Sequence, residues 1–302
     1  MGRPFHTLDD LVGHLESHGC ICGARTRDIL LQEGYYPVVN GYREPFLAGV
    51  DPADGHRRYR PGTRFDDIYR SFLFDRRLRE AVFRHLTRIE ATLRNTCAYR
   101  FCERHPGTSD YLRASCYTSR GEYLGDPARH ARELEGMLEV LERLSHDAES
   151  DKAGVRHYAR KQEAMPLWVL AGDLTFGTLR RFYDLLERDV QRAVCDDFAL
   201  LARHDGAEGA KGGAGEGHPI TPAWLSRALR PLVEARNICA HDDRLFNHRF
   251  EDGDTGFRDL MRTMDRLLTP EESAERDHEI EALADEYLDG LPEIRAIACG
   301  KA

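Results

Sequence analysis

Residues 75–97 read DRRLREAVFRHLTRIEATLRNTC. Leu78, Val82, Leu86, Ile89, Leu93 and Cys97 recur at steps of three and four, the spacing of one face of an α-helix. This stripe predicts a long buried helix from Asp75. Arg76, Arg77, Arg79, Arg84 and Arg88 fall outside the stripe. Working outward, the same period dominates the rest of the chain. Thr7-Leu-Asp-Asp10 and Thr63-Arg-Phe-Asp66 match the capping-box pattern that opens helices. Further helices are expected over 24–34, 128–148 and 188–203, from Pro166 onward, and from Thr221-Pro222, where an N-cap threonine precedes a first-turn proline. Two acidic amphipathic segments follow near 257–268 and 271–288. The only extended piece expected is a short one near 36–39, and 43–62 reads as an irregular loop rich in Pro and Gly. The fold class is all-α.

The division expected is an N-terminal part, 1–62, a helical core, 63–250, and acidic C-terminal helices, 251–302. A Gly/Ala-rich loop over 204–219 interrupts the core. With 302 residues, 41% hydrophobic and 31% charged, the chain can bury a substantial core. It has no apolar run long enough for a membrane span, and its N-terminus lacks the apolar core of a signal peptide. A cytoplasmic location is expected. Eight cysteines are scattered, and only Cys20 and Cys22 form a close pair with nothing at zinc-site spacing to complete it. Neither metal nor cofactor is expected.

The net charge of −9 argues against a generic nucleic-acid binder. The average conceals an asymmetry. Residues 57–104 carry 13 Arg against 6 acids, and residues 251–289 carry 14 acids against 4 Arg. The arginine-rich stretch reads either as a basic face for a polyanion or as solvated helix surface in a chain that favours Arg over Lys. On the first reading Arg76, Arg77, Arg84 and Arg94 contact RNA.

Residues 231–248, PLVEARNICAHDDRLFNH, carry the chemistry. Arg236, Asn237 and His241 bring a permanent cation, an amide and a titratable imidazole together on an expected helix. Asn237 and His241 are four apart and share a face, whereas Arg236 and His241 are about 140° apart. Arg-x-x-x-x-His alone is a weak motif, expected by chance about twice in this composition. The second instance, Arg100/His105, runs into the helix-ending Pro106-Gly107. The plain structural reading makes Arg236 and His241 ion-pair or capping groups, with Glu234, Asp242 and Asp243 close by. Trp168 and Trp224 read as core aromatics, and Asp173 as solvent-facing or a local cap. The functional reading is phosphodiester cleavage. A neutral imidazole takes the proton of a ribose 2′-hydroxyl, a protonated one serves the leaving oxygen, and guanidinium groups stabilise the charge between. RNA supplies its own nucleophile, so no metal is needed.

The ordering of segments resembles the Abi family of abortive-infection proteins (AbiD/AbiF-like). The segments are GYYPVVNGYREPF (34–46), FDRRLR (74–79), RIEATLR (88–94), PLWVL (166–170), LTFGTL (174–179) and RNICAHDDRLFN (236–247). That family is similar to HEPN-superfamily helical ribonucleases. The resemblance implies a HEPN-like bundle with additional helices, and an endoribonuclease site at a homodimer interface. Arg236, Asn237 and His241 would be catalytic, and Arg244 and Asn247 supporting. RNA is the implied partner, as substrate and also as a structured small RNA. The alternatives are a non-catalytic RNA-binding module and a toxin controlled by a partner antitoxin. Residues 94–99, RNTCAY, echo RNICAH (236–241) with Tyr99 in place of the imidazole, a coincidence or a degenerate second motif.

Overall fold

The computed structural model describes residues 5–51, 55–202, 219–241, 243–250, 253 and 255–299. The expected loop at 204–219 lies almost wholly outside the described residues, as does Asp242. The architecture is all-α. Twelve α-helices and one two-stranded hairpin are present among the described residues.

The organising element is α3, Phe65–Arg104, a single 40-residue helix, about 60 Å long at 1.5 Å per residue. It begins ten residues before the start expected from the stripe. All six stripe residues are buried. Around it pack α8 (Arg188–Leu201), α9 (Pro222–Ala240) and α11 (Pro270–Tyr287), with shorter contacts to α6 (Leu167–Leu170) and α7 (Phe176–Leu185). The N-terminal α1 (Leu8–Ser17) and α2 (Thr26–Glu33) pack on each other, and α4 (His130–Ser145) lies against α5 (Ala153–Lys161), α6 and α7. The remaining C-terminal helices, α10 (Phe257–Asp265) and α12 (Pro292–Cys299), pack on each other and on α11. One hydrophobic cluster runs from Leu15 to Ala298, so the three segments read from the sequence share a core. No described helix is long and apolar enough to cross a membrane.

Local chemistry explains most boundaries. The Thr7 hydroxyl accepts from the Asp10 N–H, and the Asp10 carboxylate accepts from the Thr7 N–H, the reciprocal box expected there. Thr221 caps α9 by accepting from the Trp224 N–H at 3.2 Å, with Pro222 in the first turn. Thr63 does not cap α3, which is a correction. Its carbonyl accepts from the Ile21 N–H and the Ile21 carbonyl accepts from the Phe65 N–H. This bridge to another segment holds Arg64 extended, and the helix starts after it.

Three further expectations are corrected. Residues Tyr36–Asn40 form one turn of π-helix, which lets both Val38 and Val39 pack into the core beside α3. The stretch read as an irregular loop contains the antiparallel hairpin β1 (Leu47–Val50) and β2 (Arg57–Tyr59). Trp168 is 64% exposed rather than a core aromatic, and Trp224 is half-buried with the Arg266 guanidinium 3.7 Å from its ring centre. Asp173 is half-buried and accepts from the Ser150 hydroxyl at 2.5 Å.

Candidate functional site

Helix α9 has two working faces. Leu225, Leu229, Leu232, Ala235 and Ile238 are buried toward the core. Arg230, Val233, Glu234 and Asn237 follow at steps of three and four on another face, where they line an open cleft of about 630 Å³. Pro231 sits inside the helix and is buried. It has no N–H, so the Arg227 carbonyl loses its helical partner.

The helix ends at Ala240, and His241 is its C-cap, with φ −113° and ψ 16°. The expectation that His241 stands on the helix face with Asn237 is therefore modified. Its N–H still bonds the Asn237 carbonyl at 3.0 Å, while its exposed imidazole makes no hydrogen bond or ion pair with another described residue. Asn237 is also exposed. Its side-chain carbonyl accepts from Arg236 Nη1 at 3.3 Å.

Arg236 finds its acid on α3, away from the neighbours Glu234 and Asp243. Its Nε lies 3.3 Å from Glu90 Oε2. The other oxygen of the same carboxylate accepts from Arg94 Nη2 at 2.9 Å. Glu90 is only 7% exposed at its side chain, so one buried carboxylate bridges the two guanidinium groups. Arg94 and Arg236 are the first residues of the two echoing segments, RNTCAY and RNICAH. The echo thus corresponds to a spatial pairing of α3 with α9. Tyr99 is exposed on α3, while the Glu234 carboxylate pairs with His248 at 2.7 Å.

Arg244 belongs to a clamp behind the motif. Arg244 Nη1 donates to the Gly41 carbonyl. The Leu245 and Phe246 N–H groups donate to the fully buried Asp75 carboxylate at 3.1 and 2.9 Å. Asp75 also accepts from the Tyr42 hydroxyl at 2.7 Å and from Arg79 Nη1 at 2.9 Å. Burial pushes the Asp75 carboxyl up, and these four donors pull it back. Arg79, expected off the buried stripe, is buried with it. Gly34 contributes the turn that starts this region. It closes α2 with φ +83°, a conformation that favours glycine. Asn247 is half-buried, with its side-chain oxygen sealed from solvent and accepting no hydrogen bond among the described residues.

The other arginines expected to meet RNA have partners within the chain. Arg76 makes a two-pronged contact with Glu33 at 2.6 and 3.2 Å. Arg77 reaches Glu80 at 2.9 Å, and Arg84 reaches Glu279 at 2.5 Å and Glu275 at 3.3 Å. The acidic helix α11 lies along this side of α3. Arg77 and Arg84 remain more than half exposed in these pairs. His105, at the end of α3 as expected, is held 2.8 Å from Glu187. Among the described residues no group of three His, Cys, Asp or Glu side chains is placed to hold a metal ion.

Glu90 escaped the sequence reading because its partner Arg236 is far away along the chain. The arginines of the cleft escaped it because they come from separate segments. Arg129 precedes α4, Arg180 and Arg181 lie on α7, and Arg230 lies on α9.

Neither a curated protein nor a solved structure matches this chain. A family model does match, over residues 28–247. That span holds the aromatic turn, the Asp75 clamp, the Glu90 bridge and the motif through Asn247. By this match over more than half its length, the chain belongs to the Abi-like protein family.

Proposed function

We propose that this chain is a metal-independent endoribonuclease that acts in abortive infection. Membership of the Abi-like family supports the biological role. The observation that carries the chemical reading is the arrangement at the open end of α9. His241 is exposed, Asn237 faces the cleft, and Arg236 is anchored by a buried carboxylate. Glu90 positions Arg236 through the charge attraction of a close ion pair that is not a hydrogen bond.

In the proposed reaction, one neutral His241 takes the proton of a ribose 2′-hydroxyl. The 2′-oxygen forms a bond to the adjacent phosphorus, and the bond from phosphorus to the 5′-oxygen breaks. A protonated His241 from a second copy of the chain gives its proton to that 5′-oxygen. The products are a 2′,3′-cyclic phosphate and a 5′-hydroxyl. Arg236 stabilises the negative charge that builds on the phosphoryl oxygens. Asn237 orients a phosphoryl oxygen or hydroxyl through its amide. Each chain brings one His241, and acid and base are both needed, so the working unit is a homodimer. Arg244 acts indirectly, by fixing the segment after His241 through the Gly41 carbonyl.

The test is cleavage of a short RNA in EDTA. Cleavage should persist, and a 2′-deoxy substitution at the scissile nucleotide should block it. Light scattering under assay conditions should show a dimer. Activity that disappears on chelation and returns with Mg²⁺ contradicts the mechanism. An active monomer contradicts the shared site and turns attention to Tyr99. The Arg94–Glu90–Arg236 bridge also favours a second reading, a non-catalytic RNA-binding module, because it holds two cations where they could grip a strand. Full cell toxicity retained in His241→Ala selects that reading.

A further inference from the structure

The cleft beside Asn237 is built from α7, α9 and the segment leading into α4, and its polar groups fall into two sets. Most are already engaged. Arg180 reaches Asp184 at 3.2 Å, Arg129 reaches Asp126 at 3.7 Å, and Glu234 holds His248. The remainder face the cleft without such a partner. Neither Arg181 nor Arg230 makes a close ion pair or side-chain hydrogen bond with any described residue, although Arg230 acts at longer range on the Asp184 carboxylate, and Glu133 also lines the cleft. Asp184 is buried, and burial pushes its carboxyl up against the opposing pull of the Ser226 hydroxyl, Arg180 and Arg230, while its Oδ1 is sealed from solvent and accepts no hydrogen bond.

The cleft therefore offers two cations beside the Glu133 carboxylate. A uniformly anionic ligand would meet the carboxylates unfavourably. A nucleotide matches both sets, because it joins a phosphate to base and ribose groups that donate hydrogen bonds. The half-buried Tyr123 adds an aromatic ring to the wall, and aromatic faces stack on bases. At about 630 Å³ the cleft lies within the usual range for small-molecule sites. It also contains Asn237, so a nucleotide held here would lie next to the motif.

We propose that Arg181 and Arg230 bind the phosphate of a nucleotide in this cleft, the unit of an RNA strand that neighbours the scissile bond. The choice of an RNA strand as the source rests on the nuclease reading above; the nucleotide chemistry of the cleft does not.

The experiment measures binding without cleavage on the full-length chain. The probes are a fluorescein-labelled 2′-O-methyl RNA hexanucleotide, which has no free 2′-hydroxyl to attack, adenosine 5′-monophosphate and inorganic phosphate. Wild type is compared with the Arg181→Glu/Arg230→Glu double variant, the corresponding double lysine variant and Arg230→Ala, each first checked for unchanged helical circular dichroism. Arg230 is exposed, so its alanine variant keeps the test open if the double reversal fails to fold. Charge reversal should weaken hexanucleotide binding at least tenfold, Arg230→Ala several-fold, and lysine should restore most of it. The salt slope should fall by roughly 0.7 for each arginine that leaves a phosphate.

A hexanucleotide that binds much more tightly than the mononucleotide supports the strand. Equal affinities support the nucleotide site but assign it to a free nucleotide. Unchanged affinity in the reversal and alanine variants, absence of binding by both nucleotide probes, or inorganic phosphate competing as well as the mononucleotide overturns the proposal. A wild-type chain that binds through these arginines yet never cuts RNA refutes the nuclease reading alone. One that cuts normally with both reversed refutes the cleft alone.

Discussion

Along the seam between α3 and α11, Arg84 reaches Glu275 and Glu279, and Arg88 reaches Glu272. Across the cleft, Arg181 and Arg230 reach no carboxylate among the described residues. Both surfaces are rich in arginine, and the denser one in sequence is the one whose charge is spent within the chain. The lesson concerns what a local charge excess measures. Residues 57–104 and 251–289 are oppositely charged, and Arg84 and Arg88 of the first pair with acids of the second. Their field is largely internal, and oppositely charged groups a few ångströms apart leave little net potential at a distance. Arg181 of α7 and Arg230 of α9 make no such close pair with a described residue.

The sharpest way to break this comparison is to compare activity across the two surfaces. His241→Ala should reduce RNA cleavage to background with folding intact, and Arg236→Ala should lower it by about 10²–10³-fold, the usual loss for a transition-state donor. Arg84→Ala/Arg88→Ala should leave the rate within a few-fold. A gel-based cleavage assay measures all three, and a seam variant as inactive as Arg236→Ala would place the seam in the site.

The second contrast concerns stability. Asp75→Ala removes a fully buried carboxylate, taking the acceptor from Tyr42 and two backbone N–H groups and the counter-charge from Arg79. Breaking one side of a buried ion pair costs about 3–5 kcal/mol, and urea unfolding should show a loss of that order. If the loss is below about 1 kcal/mol, the clamp behind the motif does not hold that segment.

A smaller effect is expected at the seam itself. Exposed ion pairs contribute about 0–1 kcal/mol each, so Arg84→Ala/Arg88→Ala should shift the urea midpoint slightly and change hexanucleotide affinity less than twofold. A tenfold loss of affinity would make α3 part of the RNA surface after all.

The least effect sharpens the view of the seam as closed. His85 is buried there, and burial, followed by the nearby Arg84 and Arg276, holds its imidazole below the ordinary value of 6.5. The unfolded chain then binds a proton that the folded chain resists. The His85 contribution is complete above pH 6.5 and is lost as pH falls below it. The urea midpoint should decline between pH 7.5 and 5.5, and His85→Gln should flatten part of that decline. An unchanged slope would mean that the imidazole is not enclosed.

Much of the helical framework was legible from short-range rules. The 3.6-residue period identified the buried face of α3, and the Thr7 box and Thr221-Pro222 marked real helix starts, because capping is decided within four residues. Thr63 had the same pattern and failed, because Ile21 competes for the backbone around Arg64. The hairpin was invisible because its strands, Leu47–Val50 and Arg57–Tyr59, are too short to display an alternation. The π-turn at Tyr36–Asn40 was misread for a related reason. Two adjacent buried valines resemble an extended segment until a helix behind them is known.

For the candidate site, the sequence by itself determined the residue types and their order: Arg236, Asn237 and His241 near the end of a helix, followed by Arg244 and Asn247. Tertiary structure alone decided their surroundings. It brought Glu90 between Arg94 and Arg236, set His241 at the helix C-cap, placed Asp75 beneath the segment after it, and paired Arg84 and Arg88 with acids of α11. Helix period and capping depend on neighbours in the chain. Charge pairing and burial depend on which distant segments meet, and no spacing rule within one segment contains that information.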